Sequence, residues 1–234
     1  MNKIDLIKFL DLTTLNEDDN ETTIHTLCEN AITPKGNVAA ICIYPQFIEL
    51  AKALLNDTTI LVATVANFPE GTQTIKQTVK DIETALTIGA DEIDVVIDYQ
   101  RFLAGNKKVI NELVTACKAI SNQYTLKVIL ETGELKTDDL IDYASKAALD
   151  AGADFIKTST GKVPVNATLE AADIMLQAIK QINPDAGFKA AGGIKLPEQA
   201  LAYVEFAQKY LGHNWVTPQH FRIGASSLLD NILL

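Results

Sequence analysis

Eight short apolar runs, separated by stretches that include helix-periodic ones, constrain this chain more than any other feature. The runs cover residues 10–15, 38–43, 60–66, 92–97, 126–131, 154–158, 187–190 and 221–224. Between them, residues 72–88 place Ile75, Val79, Ile82 and Leu86 at helical spacing. Residues 107–120 do the same with Ile110, Leu113, Val114 and Cys117, and residues 169–182 with Leu169, Ala172, Met175 and Ile179. Strands alternating with helices of this length build parallel βα units. Eight such units in 234 residues predict an α/β protein with a single-domain (β/α)8 TIM barrel over residues 1–234, including a short N-terminal helical segment. A doubly wound open sheet is the alternative, because the first strand is the weakest of the eight.

Bulk chemistry narrows the partners. A formal charge of -10 repels nucleic acid and anionic membrane, so an anionic substrate needs a local site. No apolar window is long enough to cross a bilayer, and the start Met1-Asn2-Lys3-Ile4-Asp5 lacks a signal-peptide pattern, which predicts a cytoplasmic protein. Cys28, Cys42 and Cys117 have neither metal-ligand spacing nor a disulfide framework. His25, His213 and His220 do not form a ligand set, so no metal is expected.

The candidate chemistry lies at strand ends. Ile88-Gly89-Ala90-Asp91-Glu92-Ile93-Asp94 parallels Ala151-Gly152-Ala153-Asp154-Phe155-Ile156-Lys157, so Asp94 and Lys157 fall at the same offset after a helix-ending glycine. Equivalent units place both side chains at one level of the barrel wall, although Gly-Ala-Asp is also a common helix-to-strand connection. Lys189, in Gly187-Phe188-Lys189, ends the next apolar run. An ammonium inside a barrel loses hydration, and a second one nearby further favours the neutral amine. A neutral amine can form a Schiff base with a carbonyl, assisted by a carboxylate such as Asp94. The structural alternative for Lys157 is an ion pair with Asp94 or Glu131, or an amine reaching out of the mouth. Which lysine attacks stays open on this argument. Lys127 begins a strand and suits a basal position. Asp98 is a rival carboxylate at the strand's end or a helix cap or loop residue, and Asp11 is either a mouth carboxylate or a turn or cap residue. Cys42 reads as core, or as a thiol close enough to the site to meet aldehydes.

Three loops could bind an anion: Thr158-Ser159-Thr160-Gly161-Lys162, Ala191-Gly192-Gly193 and Gly224-Ala225-Ser226-Ser227. Each follows an expected strand, and the last two follow strands seven and eight, where barrels hold phosphate on backbone N–H groups. Candidate substrate-binding residues are therefore Thr160, Gly161, Lys162, Gly192, Gly193, Gly224, Ser226 and Ser227. Thr160-Gly161-Lys162 is not a nucleotide P-loop, since Val163 stands where that motif requires Ser or Thr.

At Asp11-Leu12-Thr13-Thr14-Leu15, Ala40-Ile41-Cys42-Ile43-Tyr44-Pro45, Gly89-Ala90-Asp91-Glu92-Ile93-Asp94-Val95-Val96, Lys127-Val128-Ile129-Leu130-Glu131-Thr132-Gly133-Glu134-Leu135, Phe155-Ile156-Lys157-Thr158-Ser159-Thr160-Gly161-Lys162 and Arg222-Ile223-Gly224-Ala225-Ser226-Ser227 the chain resembles the deoxyribose-phosphate aldolase family, a class I, Schiff-base family. The resemblance implies an imine on Lys157, perturbation by Lys189 and proton relay by Asp94. It implies phosphate held by Gly161, Lys162, Gly192, Gly193, Gly224, Ser226 and Ser227, with Asp11 orienting sugar hydroxyls. It also implies small phosphorylated sugar and aldehyde substrates, a homodimer or homotetramer, and no metal or organic cofactor.

The chain departs from the family pattern at three places. Ala190 replaces a proline after Lys189, Asp98-Tyr99-Gln100 replaces Pro-Tyr-Arg, and no tyrosine accompanies the last residues Asn231-Ile232-Leu233-Leu234. Other readings of the pattern are a different class I aldolase, a phosphosugar isomerase on the same barrel, or a phosphometabolite-binding protein. The missing tyrosine gives the expectation that enamine protonation is slowed or left to water. Deuterium incorporation from solvent into acetaldehyde measures it, and a rate equal to that of tyrosine-tailed relatives would contradict the expectation.

Overall fold

A barrel strand is covered on one face by helices and on the other by the interior, which is why these strands read as apolar runs without alternation. A computed structural model describes residues 1–234. The barrel strands are β1 (Leu10–Thr13), β2 (Ala40–Ile43), β3 (Leu61–Ala66), β4 (Glu92–Val96), β5 (Thr125–Ile129), β6 (Phe155–Lys157), β7 (Gly187–Ala191) and β8 (Phe221–Ala225). All pair in parallel with their chain neighbours, and β8 pairs with β1 to close the ring. Closure excludes the open sheet.

The outer ring comprises α1 (Glu21–Ala31), α2 (Ile48–Leu54), α3 (Ile75–Thr87), α4 (Tyr99–Leu103), α5 (Lys108–Ile120), α6 (Thr132–Leu135), α7 (Asp138–Asp150), α8 (Leu169–Ile182), α9 (Pro197–Leu211) and α10 (Leu228–Leu233). A 3-10 turn at Ile4–Phe9 precedes β1. The three helices expected from periodicity are present, α8 with the expected bounds. Asn20 begins α1 by accepting hydrogen bonds from the Thr22 and Thr23 amides. Asp98 caps α4 through the Arg101 amide.

Strand limits differ from expectation where a local hydrogen bond competes. Val38 donates its N–H to Ala31 O, closing a small hairpin (Ile32–Thr33 with Gly36–Asn37) instead of extending β2. Glu131 lies beyond β5 because its backbone turns left-handed at φ 54.

The Gly-Ala-Asp repeat has a structural role in both places. Asp91 accepts the Val62 N–H at 2.8 Å and pairs with Lys52 at 2.9 Å. Asp154 accepts the Leu126 N–H and pairs with Lys118, both at 2.7 Å. Each aspartate thus ties its own strand to the one before it, at the end of the barrel opposite Lys157. The equal offset carries Asp94 and Lys157 inward to a common level, where they meet.

Packing at the base of β7 depends on the missing side chain of Gly187. A Cβ there would stand 2.3 Å from the Phe155 ring, whose place is set by its own strand. Gly187→Ala is therefore expected to destabilise the fold by about 1–3 kcal/mol through overpacking, read from the midpoint of urea unfolding.

Candidate active site

Inward-facing positions on six strands bring together seven ionisable side chains. β1 supplies Asp11, β4 Glu92 and Asp94, β5 Lys127, β6 Lys157, β7 Lys189 and β8 Arg222, and every one is buried. Residues two apart on a strand share a face, which puts Glu92 one layer below Asp94. In the lower layer Arg222 holds Glu92 at 2.9 Å and Asp11 at 2.7 Å. Lys127 spans the layers, 2.5 Å from Glu92 Oε2 and 3.0 Å from Asp94 Oδ1. Its Cα pairs in register with Asp94, two residues before the level where Ile129 pairs with Lys157, so Lys127 adds to the field around Asp94. In the upper layer Lys157 and Lys189 each donate to Asp94 Oδ2 at 2.8 Å. Lys189 also donates to Asp11 Oδ2.

Sequence reasoning expected two amines in mutual repulsion. The structure places a carboxylate oxygen between them, so the repulsion is bridged. Burial alone would favour a neutral Lys189, but the Asp11 and Asp94 charges outweigh it and raise its pKa, leaving a firm cation. Burial likewise opposes ionisation of Asp94, yet Lys127, Lys157 and Lys189 together hold it well below the usual carboxylate range. Asp11 is lowered against burial by Lys189, Arg222 and Lys127. The Cys42 thiol is pushed up, first by burial and then by Asp94. It is fully buried in a small apolar cluster with Leu15, Ala63 and Val65 and is not part of the cavity wall described below.

Above this network a cavity of about 250 Å³ opens at the C-terminal ends of the strands, where barrel enzymes place their sites. Lys157 forms part of its wall; Asp94, Lys189 and Asp11 lie beneath. The three glycine-bearing loops supply most of the rest, with Thr160, Gly161, Lys162, Gly192, Gly193, Gly224, Ser226 and Ser227 all on the lining. Gly224 lets β8 close over the second lysine, since a Cβ there would come 3.1 Å from Lys189 Cε. Gly192 has φ +88, and a Cβ would strike Asn166 at 2.6 Å. Ser227 heads α10 without capping it, so its hydroxyl is not committed to that helix. Lys162 reaches across to donate to Leu15 O at 2.5 Å.

Two expected residues are placed differently from a simple binding role. Both Asp11 oxygens are engaged by Lys189 and Arg222, and Thr13 and Thr14 are the nearby residues that reach the cavity. The Thr160 hydroxyl proton goes to Glu131, at 2.5 Å.

The chain matches the description "DeoC/LacD family aldolase" over residues 6–233. It belongs to the DeoC/LacD aldolase family. Solved relatives agree. A chain from Toxoplasma gondii ME49, provisionally named a deoxyribose-phosphate aldolase, superposes with a TM-score of 0.91 at 26% identity, covering 99% of this chain and 92% of that one. A protein described as "QR15, an Aldolase" gives 0.84 at 27% identity, covering 98% and 95%. The tetrameric deoxyribose phosphate aldolase from Aeropyrum pernix gives 0.82 at 23% identity over 99% and 91%, a likeness of fold. Family membership makes the chain a lyase of the class I, Schiff-base aldolase type.

Glu92 and Arg222 escaped the sequence reading, as did the exposed Lys195 on the cavity wall. The available signal was parity. Glu92 stands two residues before Asp94 and Arg222 two before Gly224, so each faces the interior with its neighbour.

The network has a pH signature. Asp11 and Asp94 have folded pKa values below their unfolded ones, so their stabilisation is present above about pH 4 and is lost as pH falls toward the folded values. Lys189 is raised, so its share is present below about pH 10 and fades as pH rises through its folded value. Unfolding free energy is therefore expected to be level across neutral pH and to fall below about pH 4, by about 1.4 kcal/mol per pH unit for each such carboxylate. Urea titrations between pH 7 and pH 3 measure it; a level profile down to pH 3 would contradict it.

Proposed function

We propose that this aldolase reversibly cleaves 2-deoxy-D-ribose 5-phosphate into D-glyceraldehyde 3-phosphate and acetaldehyde through a Schiff base on Lys157. One observation carries the reading: Lys157 alone among the interior amines both bonds Asp94 and opens onto the cavity. An amine in that place can meet a carbonyl while the glycine- and serine-bearing loops hold a phosphoryl group.

In this mechanism the Lys157 amine adds to C1 of the open-chain sugar, and Asp94, acting through water, assists loss of water to the imine. The protonated imine draws electrons as the C3 hydroxyl loses its proton and the C2–C3 bond breaks. Glyceraldehyde 3-phosphate leaves, and an enamine stays on Lys157. Protonation at C2 and hydrolysis release acetaldehyde. Lys189, kept cationic by Asp11 and Asp94, shares the Asp94 oxygen that faces Lys157 and so can return protons to it. Gly161, Lys162, Gly192, Gly193, Gly224, Ser226 and Ser227 hold the phosphate, with Thr160 in the same loop. Asp11 acts in this scheme through Lys189, and sugar hydroxyls meet Thr13 and Thr14. The covalent amine is its own electron sink, so the scheme uses no metal or organic cofactor. A cytoplasmic homodimer or homotetramer belongs to the same proposal; the Aeropyrum pernix protein is described as a tetramer.

An isomerase would require a carboxylate base facing the substrate, and no Asp or Glu lines the cavity. A different aldol substrate shares the lysine chemistry, and finding acetaldehyde among the products separates the two. No helix is long and apolar enough to cross a membrane.

Lys157→Ala is expected to abolish both turnover and borohydride trapping with deoxyribose 5-phosphate while leaving the circular dichroism spectrum unchanged. Mass spectrometry of the reduced wild-type protein should place the adduct on Lys157. Full turnover by the variant, or an adduct on Lys189, would overturn the assignment.

A further inference from the structure

Glu131 is a buried carboxylate next to the cavity that the aldol mechanism leaves unused. It does not line the cavity, and it is fully buried. Its backbone is left-handed at φ 54, a conformation that non-glycine residues seldom take. Both of its oxygens serve one residue on another strand end. Thr160 donates its amide to Oε1 at 3.2 Å and its hydroxyl to Oε2 at 2.5 Å. The same hydroxyl oxygen accepts the Lys162 amide at 3.0 Å. A single relay thus runs from the end of β5 to the loop after β6, which carries Gly161 and Lys162 onto the cavity wall.

Electrostatics makes this arrangement costly for an anion pocket. A carboxylate close by repels a phosphoryl dianion, and burial pushes the Glu131 carboxyl up, an effect only partly offset by the Thr160 bonds and Lys157. The geometry it imposes accounts for its place. We propose that Glu131 is a positioning residue that sets the preference for phosphorylated substrates, by locking residues 160–162 in the arc that lines the phosphate pocket. This deepens the phosphate reading made above and rests on it. Without Glu131 the loop orders only when the phosphoryl group arrives, so the cost appears in binding and not in the chemical step.

Three measurements on Glu131→Ala and Glu131→Gln test it: cleavage of 2-deoxy-D-ribose 5-phosphate, cleavage of unphosphorylated 2-deoxy-D-ribose, and calorimetric titration with inorganic phosphate. Glu131→Ala should raise KM for the phosphorylated sugar roughly ten- to hundredfold and weaken inorganic phosphate binding in step. Its kcat, and its rate on the unphosphorylated sugar, should stay within about threefold of wild type. Glu131→Gln keeps an acceptor for the Thr160 hydroxyl and should recover part of the loss. If the alanine variant does not fold, Glu131→Asp, which withdraws the carboxylate by one methylene, carries the same expectation. Equal losses on both sugars, or an unchanged KM and unchanged phosphate binding, would overturn the positioning role. Wild-type protein that neither binds inorganic phosphate nor distinguishes the two sugars would remove the phosphate reading itself, and this inference with it.

Discussion

One carboxylate, Asp94, organises the interior of this barrel. Its Oδ1 is held by Lys127 and its Oδ2 is shared by Lys157 and Lys189, so three buried amines converge on one group. Taking charges out of water is costly, and a buried ion without its partner is far worse than a buried pair. The cluster meets that cost by completeness: every oxygen of Asp11, Glu92 and Asp94 accepts a hydrogen bond from a lysine or from Arg222. The result is a fully paired arrangement in which Lys157 is the one amine of the cluster that reaches the cavity wall.

Barrel geometry makes this convergence possible. Parallel strands closing on themselves direct alternate side chains to a shared axis, so residues as far apart in sequence as Asp11 and Arg222 become hydrogen-bonded neighbours. The mouth is built on a different principle. There the backbone itself comes close, at Gly192 against Asn166 and at Gly224 against Lys189, and a side chain at either position would occupy the space through which the strands close. Beside the charge network the Cys42 thiol sits in a small apolar cluster, where burial pushes its pKa up.

The sequence carried most of the fold, and the main residues of the candidate site, in readable form. The eight apolar runs, the periodicity of three helices and the placement of Lys157, Lys189 and Asp94 on strands all have local signals. The Gly-Ala-Asp repeat even matched Asp94 to Lys157 correctly, for a reason that concerned the opposite end of the barrel. Less was legible where function depends on pairing. Asp98 and Asp11 look equally ambiguous in sequence; one proves to be a helix cap, and the other a fully buried member of the charge cluster. Parity with Asp94 and Gly224 turns Glu92 and Arg222 inward, but nothing nearby in the sequence reveals that the two pair with each other.

What the sequence determined by itself is the succession of βα units, the glycines where loops must turn tightly, and the presence of amines on interior faces. These follow from local propensity and from periodicities of two and 3.6 residues. Only the tertiary structure decided which amine faces the cavity, that a single carboxylate oxygen joins the two candidates, and that Thr160 is committed to Glu131. Those outcomes depend on the stagger between strands that are far apart in the chain. A shift of one residue in register would turn each of these side chains to the other face.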